Sequence, residues 1–255
     1  MRRLGVCVLS LMFLPVLPSA LYAQLVEEFK PPRPANCCLP SVAQSLADQL
    51  QDWNQLDRYH KDNLQLRSRP DEASRIVFMG DSITDMWSLE KYFPGKPYVN
   101  RGIGGQTTPQ MLVRMYPDVI NLRPAVMVLL AGTNDIARNT GPATLAMIQD
   151  NFRAMADLAQ THNIKVVICS LLPVSDYTNR KQTAQRPPSD ILILNEWLKK
   201  FADQIHAVYA DYYSALADPS GFLKDGYSGD GLHPNDKGYA LMAPIVQSAI
   251  EQVQK

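Results

Sequence analysis

The chain has 255 residues, enough for one large domain with a filled core, and its 25 Lys and Arg balance 25 Asp and Glu. A chain of that balance lacks the basic excess of a nucleic-acid surface, so no nucleic-acid partner is expected. Hydrophobic residues make up 46% and low-complexity runs are few, which describes an ordered globular protein.

Arg2 and Arg3 precede an apolar run from Leu4 to Leu17, and the small residues Ser19, Ala20 and Ala23 follow it. This is the layout of a secretory signal peptide over residues 1–23, with cleavage expected after Ala20 or Ala23. The run is too short to span a bilayer, and no later segment is long and apolar enough to do so. The expected location is therefore secreted or periplasmic, with no stable membrane anchor after cleavage. Cys7 sits inside the apolar run rather than after it, so no lipoprotein attachment site is read there. Cys37, Cys38 and Cys169 remain. No C-x-x-C pair signals redox or zinc chemistry, and Cys169 in VVICS fits a small buried hydrophobe.

Residues 24–71 divide into a proline-rich tail to Pro40 and an amphipathic helix. Val42, Leu46, Leu50, Trp53, Leu56 and Tyr59 recur every three or four positions, which predicts one helix from Ser41, its cap, to about Leu66. It is expected to pack on the outside of a main domain covering 72–255. There, apolar strand-like runs at 75–79, 97–101, 125–131, 165–171 and 207–210 alternate with helical patterns. The helices are expected to start near Thr108, at Gly141–Pro142 (to about Gln160), at Ser189 (to Ile205) and at Asn235. Continuous apolar strands alternating with helices predict an α/β fold, a three-layer α/β/α sandwich with a five-stranded parallel sheet. The polar, proline-rich stretch 173–190 fits an ordinary surface loop and the border of a substrate cleft equally well.

Ligands of such sheets collect at the carboxyl ends of the strands. Four strand ends here carry polar clusters: Gly80-Asp81-Ser82, then NRGIGGQTT at 100–108, then GTND at 132–135, and DGLHPND around Asp230 and His233. Together they suit acyl transfer. A serine hydroxyl needs a base to take its proton, histidine has the suitable pKa, and a carboxylate three residues away can hold the imidazole. The tetrahedral intermediate needs donors, for which the N–H groups of Ser82 and Gly105 and the side-chain amide of Asn134 are candidates. Singly, each signal has a plainer reading. Ser82 can be a helix cap, GTND a turn, and GIGG a phosphate cradle, although it lacks the P-loop lysine. Asp225, Asp230 and Asp236 can bind calcium but lack the regular ligand spacing. His60, His162 and His206 fit surface positions.

As a set, GDSIT at 80–84, NRGIGG at 100–105, GTND at 132–135 and DGLHPN at 230–235 resemble the four blocks of the SGNH (GDSL-type) hydrolases, over roughly residues 72 to 254. The flavodoxin-like fold of that family is thereby implied. So is a catalytic triad of Ser82 as nucleophile, His233 as base and Asp230 as its partner, with Ser82, Gly105 and Asn134 forming the oxyanion hole. Asp81 and Asp135 are implied to hold their turns, and Arg101 and Gln106 flank the second block within reach of substrate. The one departure, Ile83 where the namesake motif has leucine, leaves the chemistry alone. The pairing of FMGDSITDMW with NRGIGGQTT is similar to the branch of platelet-activating-factor acetylhydrolases and bacterial acetylesterases, which implies a short acyl group. The expectation is a secreted serine esterase that needs no metal or organic cofactor and acts on a small-molecule or carbohydrate ester. Alternatives are a lysophospholipase or thioesterase with a longer acyl pocket, and a carbohydrate-binding relative without catalysis. Composition sets no oligomeric state.

Overall fold

The computed structural model describes residues 50–69, 75–179 and 181–255, together with Ala43, Leu46 and Ala47. The leader expected at 1–23, the proline-rich tail, Cys37 and Cys38 lie outside the described residues.

Five strands form one sheet: β1 Ile76–Gly80, β2 Tyr98–Gly102, β3 Val126–Leu130, β4 Lys165–Cys169 and β5 Val208–Ala210. Their order is β2-β1-β3-β4-β5 and every pairing is parallel. Each strand lies within two residues of its expected place at either end, because a strand buried on both faces must be apolar throughout. Side chains alternate between two cores. Val77, Met79, Met127, Leu129, Val166 and Ile168 share one with Phe152, Met155, Leu194 and Leu198. Ile76, Phe78, Val126, Val128, Val167 and Cys169 share the other with Met242, Val246 and Ile250. Those partners belong to the three long helices, which make the outer layers.

The described helices in chain order are α1 His60–Ser68, α2 Ser82–Asp85, α3 Leu89–Tyr92, α4 Thr108–Val113, α5 Met115–Asp118, α6 Thr133–Ile136, α7 Leu145–Thr161, α8 Gln182–Gln185, α9 Pro188–Gln204, α10 Tyr212–Leu216 and α11 Asp236–Gln254. Helix α7 begins later than Gly141 because Thr144 is its cap, accepting from Met147 N–H at 3.1 Å, while Gly141 adopts a φ of 104°.

The single helix expected from Ser41 to Leu66 is broken. Helical backbone ends at Gln51, turns occupy the next residues, and α1 starts at His60. Asp52 causes the break, since its carboxylate accepts from the N–H groups of Leu56 and Asp57 at 2.8 and 3.1 Å, and Gln55 takes a φ of 56°. Only Tyr59 of the described stripe residues turns inward, its hydroxyl donating to the Gly102 carbonyl. Leu46, Leu50, Trp53 and Leu56 stay 40–74% exposed.

In this strand order the chain changes direction between β1 and β3, and ligands of such sheets gather at that switch point. Both β1 and β3 end in the blocks that carry Ser82 and Asn134.

Candidate active site

Asp81 closes β1 and caps α2, accepting from Ile83 N–H at 2.9 Å. The cap turns the chain sharply enough to leave Ser82 half-buried at the strand tip, with its N–H at a helix start. Asp81 itself is fully buried and its second oxygen has no hydrogen-bond partner. Burial pushes its carboxyl up to about 6, against the N–H bond from Ile83.

His233, the candidate base, arrives from the loop before α11. Ser82 Oγ lies 2.9 Å from His233 Nε2, and His233 Nδ1 lies 2.6 Å from Asp230 Oδ2. With a carboxylate on Nδ1, the neutral ring carries its proton there and leaves Nε2 to accept from the serine hydroxyl. The two oxygens of Asp230 divide their work. Oδ2 holds the imidazole, while Oδ1 accepts from the N–H groups of Leu232 and His233 at 2.9 and 2.8 Å and from Ser228 Oγ at 3.1 Å. Burial alone raises the Asp230 pKa. The bonds from the His233 ring and from the two N–H groups outweigh it and hold the carboxyl well below the usual range. Asn235 starts α11, accepting from Lys237 and Gly238 N–H, so the turn is pinned on both sides.

The three candidate donors, Ser82 N–H, Gly105 N–H and the Asn134 amide, come from the ends of three adjacent strands. Gly105 stands at a φ of 79°, a conformation that favours glycine. The N–H of neighbouring Gly104 is engaged by Asp85 at 3.2 Å, whereas that of Gly105 has no acceptor among the described residues. Asn134 sits in the first turn of α6 and is 2% exposed. Its Nδ2 donates to the Gln106 carbonyl at 3.0 Å and its Oδ1 accepts from Arg186 Nη2 at 3.1 Å. Asp135 accepts from Thr108 N–H and hydroxyl, 2.6 Å for the latter, and so ties the β3 end to the start of α4. Burial pushes Asp135 up to about 6 as well.

The structure thus brings Ser82, Asp230 and His233 together, carries Gly105 on the loop after β2 and Asn134 in the first turn of α6, at the ends of the strands flanking β1, and keeps Asp81 and Asp135 buried. Arg101 and Gln106, expected within reach of substrate, are turned away from it. Arg101 is 2% exposed and bonds Asn63 and Asp62, while Gln106 donates to the Asn54 carbonyl at 2.9 Å. His60, His162 and His206 are exposed, as expected. Sequence reasoning missed Arg186, Gln182 and Arg114. All three are buried, and a lone Arg or Gln in a polar stretch carries no signal that it turns inward.

A cleft of about 770 Å³ opens beside Gly104 and Gly105. Gln110, Asn139 and Thr140 line it from the main domain, and Leu46, Leu50, Asp52 and Trp53 line it from the N-terminal segment. That segment therefore builds one wall of the cleft beside Gly104 and Gly105, which Ser82 and His233 do not line. Among the described residues, no group of three or more His, Cys, Asp and Glu is arranged to hold a metal ion, and no helix is long and apolar enough to cross a membrane.

A five-stranded parallel sheet with these polar clusters at its strand ends is the arrangement of a GDSL-type hydrolase, and the sequence comparison agrees. The model of the GDSL-like lipase/acylhydrolase family matches residues 78–241, more than half of the chain, which therefore belongs to that family. An acylhydrolase candidate from Bacteroides fragilis is 39% identical with a TM-score of 0.75, over 80% of this chain and 99% of its own. A GDSL-like lipase from Bacteroides thetaiotaomicron is 35% identical with a TM-score of 0.72, over 78% and 98%. An acetylxylan esterase from Xylanibacter ruminicola is 25% identical over 76% of this chain and 48% of its own length. The chain spans about half the length of the curated relatives it matches.

Proposed function

We propose that the chain is an exported serine esterase that cleaves short acyl groups, such as acetyl, from carbohydrate or other small esters. Ser82 Oγ attacks the ester carbonyl carbon while His233 Nε2 takes its proton, and Asp230 stabilises the imidazolium. The oxyanion of the tetrahedral intermediate accepts from Ser82 N–H, Gly105 N–H and Asn134 Nδ2. Collapse expels the alcohol, which receives the proton from His233, and leaves an acyl group on Ser82. Water, deprotonated by His233, then attacks that carbonyl and frees the acid.

The single observation that carries this reading is the unbroken line from Ser82 Oγ through the His233 ring to Asp230, at 2.9 and 2.6 Å. The acetylxylan esterase relative and the cleft support the sugar ester, because a tryptophan face beside neutral amides and hydroxyls suits a sugar ring. The basic, apolar leader-like residues at the N-terminus support export. A second reading has its own observation. Leu46 and Leu50 are exposed in the same cleft, which favours a longer acyl chain.

The test is hydrolysis of p-nitrophenyl esters of increasing chain length and of acetylated xylan by the wild type and Ser82→Ala. Loss of all turnover in the variant, with the melting temperature unchanged, is expected, along with steeply falling kcat/KM beyond the shortest esters. Turnover by Ser82→Ala at the wild-type rate removes the nucleophile, and a maximum at long chains installs the second reading.

A further inference from the structure

We infer that Arg186 is a positioning residue for the oxyanion hole, its buried guanidinium fixing which way the Asn134 carboxamide points. The inference rests on the esterase reading and adds a residue to it. A guanidinium can only donate hydrogen bonds. Its Nη2, 3.1 Å from the Asn134 side chain, therefore requires the amide oxygen on that side. The NH2 group is then forced to the other side, where one N–H meets the Gln106 carbonyl at 3.0 Å and the second is left for a ligand. Without Arg186 the Gln106 carbonyl alone would hold the NH2 group, and a flipped amide would present a lone pair to the developing negative charge instead of a proton.

The guanidinium is itself held. Its Nε donates to Thr133 Oγ1 at 3.2 Å and its Nη1 to Gln182 Oε1 at 3.1 Å, and the residue is 3% exposed. Gln182 in turn donates to the Asp230 carbonyl at 3.3 Å. The stretch 173–190 therefore forms the back of the site. It is built there because Asp176 accepts from Thr183 N–H and Oγ1, at 3.0 and 2.7 Å, and so starts α8. Arg186 lies behind Asn134 and acts through it.

Steady-state kinetics on p-nitrophenyl acetate with Arg186→Met, Asn134→Ala and the double variant test this directly. Arg186→Met is expected to lower kcat roughly ten-fold with KM within two-fold, as for a misplaced donor. Asn134→Ala is expected to lower kcat roughly a hundred-fold. The double variant should then be no slower than Asn134→Ala alone, because nothing remains for Arg186 to orient. Should Arg186→Met fail to fold, Arg186→Ala takes its place in the same cycle. A kcat within two-fold of wild type for the Arg186 variant, or losses that multiply in the double variant, would overturn the inference. A wild-type kcat for Asn134→Ala instead overturns the oxyanion reading beneath it.

Discussion

The serine side of the site is held by a buried arginine scaffold, whereas the histidine side is a turn near the surface with fewer buried ties. Arg114, fully buried, donates to the carbonyls of Gly80 and Arg101, to Gln106 Oε1 and to Asp118 Oδ2. It thereby ties the ends of β1 and β2 to the loop that carries Gly105. Asn63 of α1 joins the same network through Arg101 and Asp118. The base side has lighter ties, the Gln182 bond to the Asp230 carbonyl and the Ser175–Gly231 backbone bond. Asp230 and His233 keep side-chain exposures of 43% and 26%, and the turn is set by Ser228 and Asp230 Oδ1. A donor array must match an oxyanion to within a fraction of an ångström, which favours a rigid frame. A base that moves a proton between serine, leaving group and water needs only its tautomer and direction fixed.

The sharpest break in that comparison is Arg114→Leu. It removes the buried charge facing Asp118 Oδ2 and the donor to the Arg101 carbonyl and Gln106 Oε1 in a dry interior, while Asp118 Oδ1 keeps Asn63 and the Gly80 carbonyl keeps Ile103 N–H. Removing one partner of a buried charge network costs about 3–5 kcal/mol. Chemical denaturation should show a loss of that order, with activity falling alongside stability. A stability within about 1 kcal/mol of wild type would mean that the scaffold is not what holds the serine side.

On the other side, Gly231→Ala is expected to act on the rate more than on stability. Gly231 has a φ of 82°, and an added Cβ would stand 1.9 Å from the Ser175 carbonyl oxygen. That carbonyl cannot yield cheaply, since Ser175 N–H donates to the Gly231 carbonyl at 2.8 Å and joins the two loops. The turn must shift, carrying His233 with it. We expect a loss of roughly ten- to a hundred-fold in kcat, read by ester hydrolysis, with destabilisation of about 1–3 kcal/mol. A variant with a normal rate would show that the base tolerates displacement of its turn.

The same contrast explains what the sequence disclosed. Ile76–Met79 and Val126–Leu130 were legible as strands because burial on both faces leaves no room for polar residues. Asp230 and His233 were legible because their contact is made within three residues. The scaffold was not. Arg114 and Arg186 meet partners that are up to 53 positions away for Arg186 and 34 for Arg114, and a buried arginine looks in sequence like any surface one. The N-terminal stripe misled for a different reason. Leu46, Leu50 and Trp53 keep helical spacing, but their apolar faces line an open cleft rather than a core, and Asp52 ends the helix by a side-chain bond that periodicity does not register.

Asp81→Asn gives the smallest effect and links the halves through charge. The folded Asp81 carboxyl stands at about 6 and the ordinary value is 3.8, so between those values the native chain holds a proton that the unfolded chain has lost. Stability therefore falls as pH rises through that window and levels off above it. Asp135, also at about 6, contributes in the same direction, whereas Asp230, held low, adds stability that is present above pH 4 and lost only on further acidification. Asparagine keeps an acceptor for Ile83 N–H and carries no charge. The variant should be more stable than wild type at pH 7 by on the order of 1–3 kcal/mol, with the gap closing toward pH 4. Melting temperatures of both proteins at pH 4, 5.5 and 7 measure this. A gap that stays constant across the three would show that the Asp81 carboxyl titrates alike in the folded and unfolded chains, so that burial does not raise it.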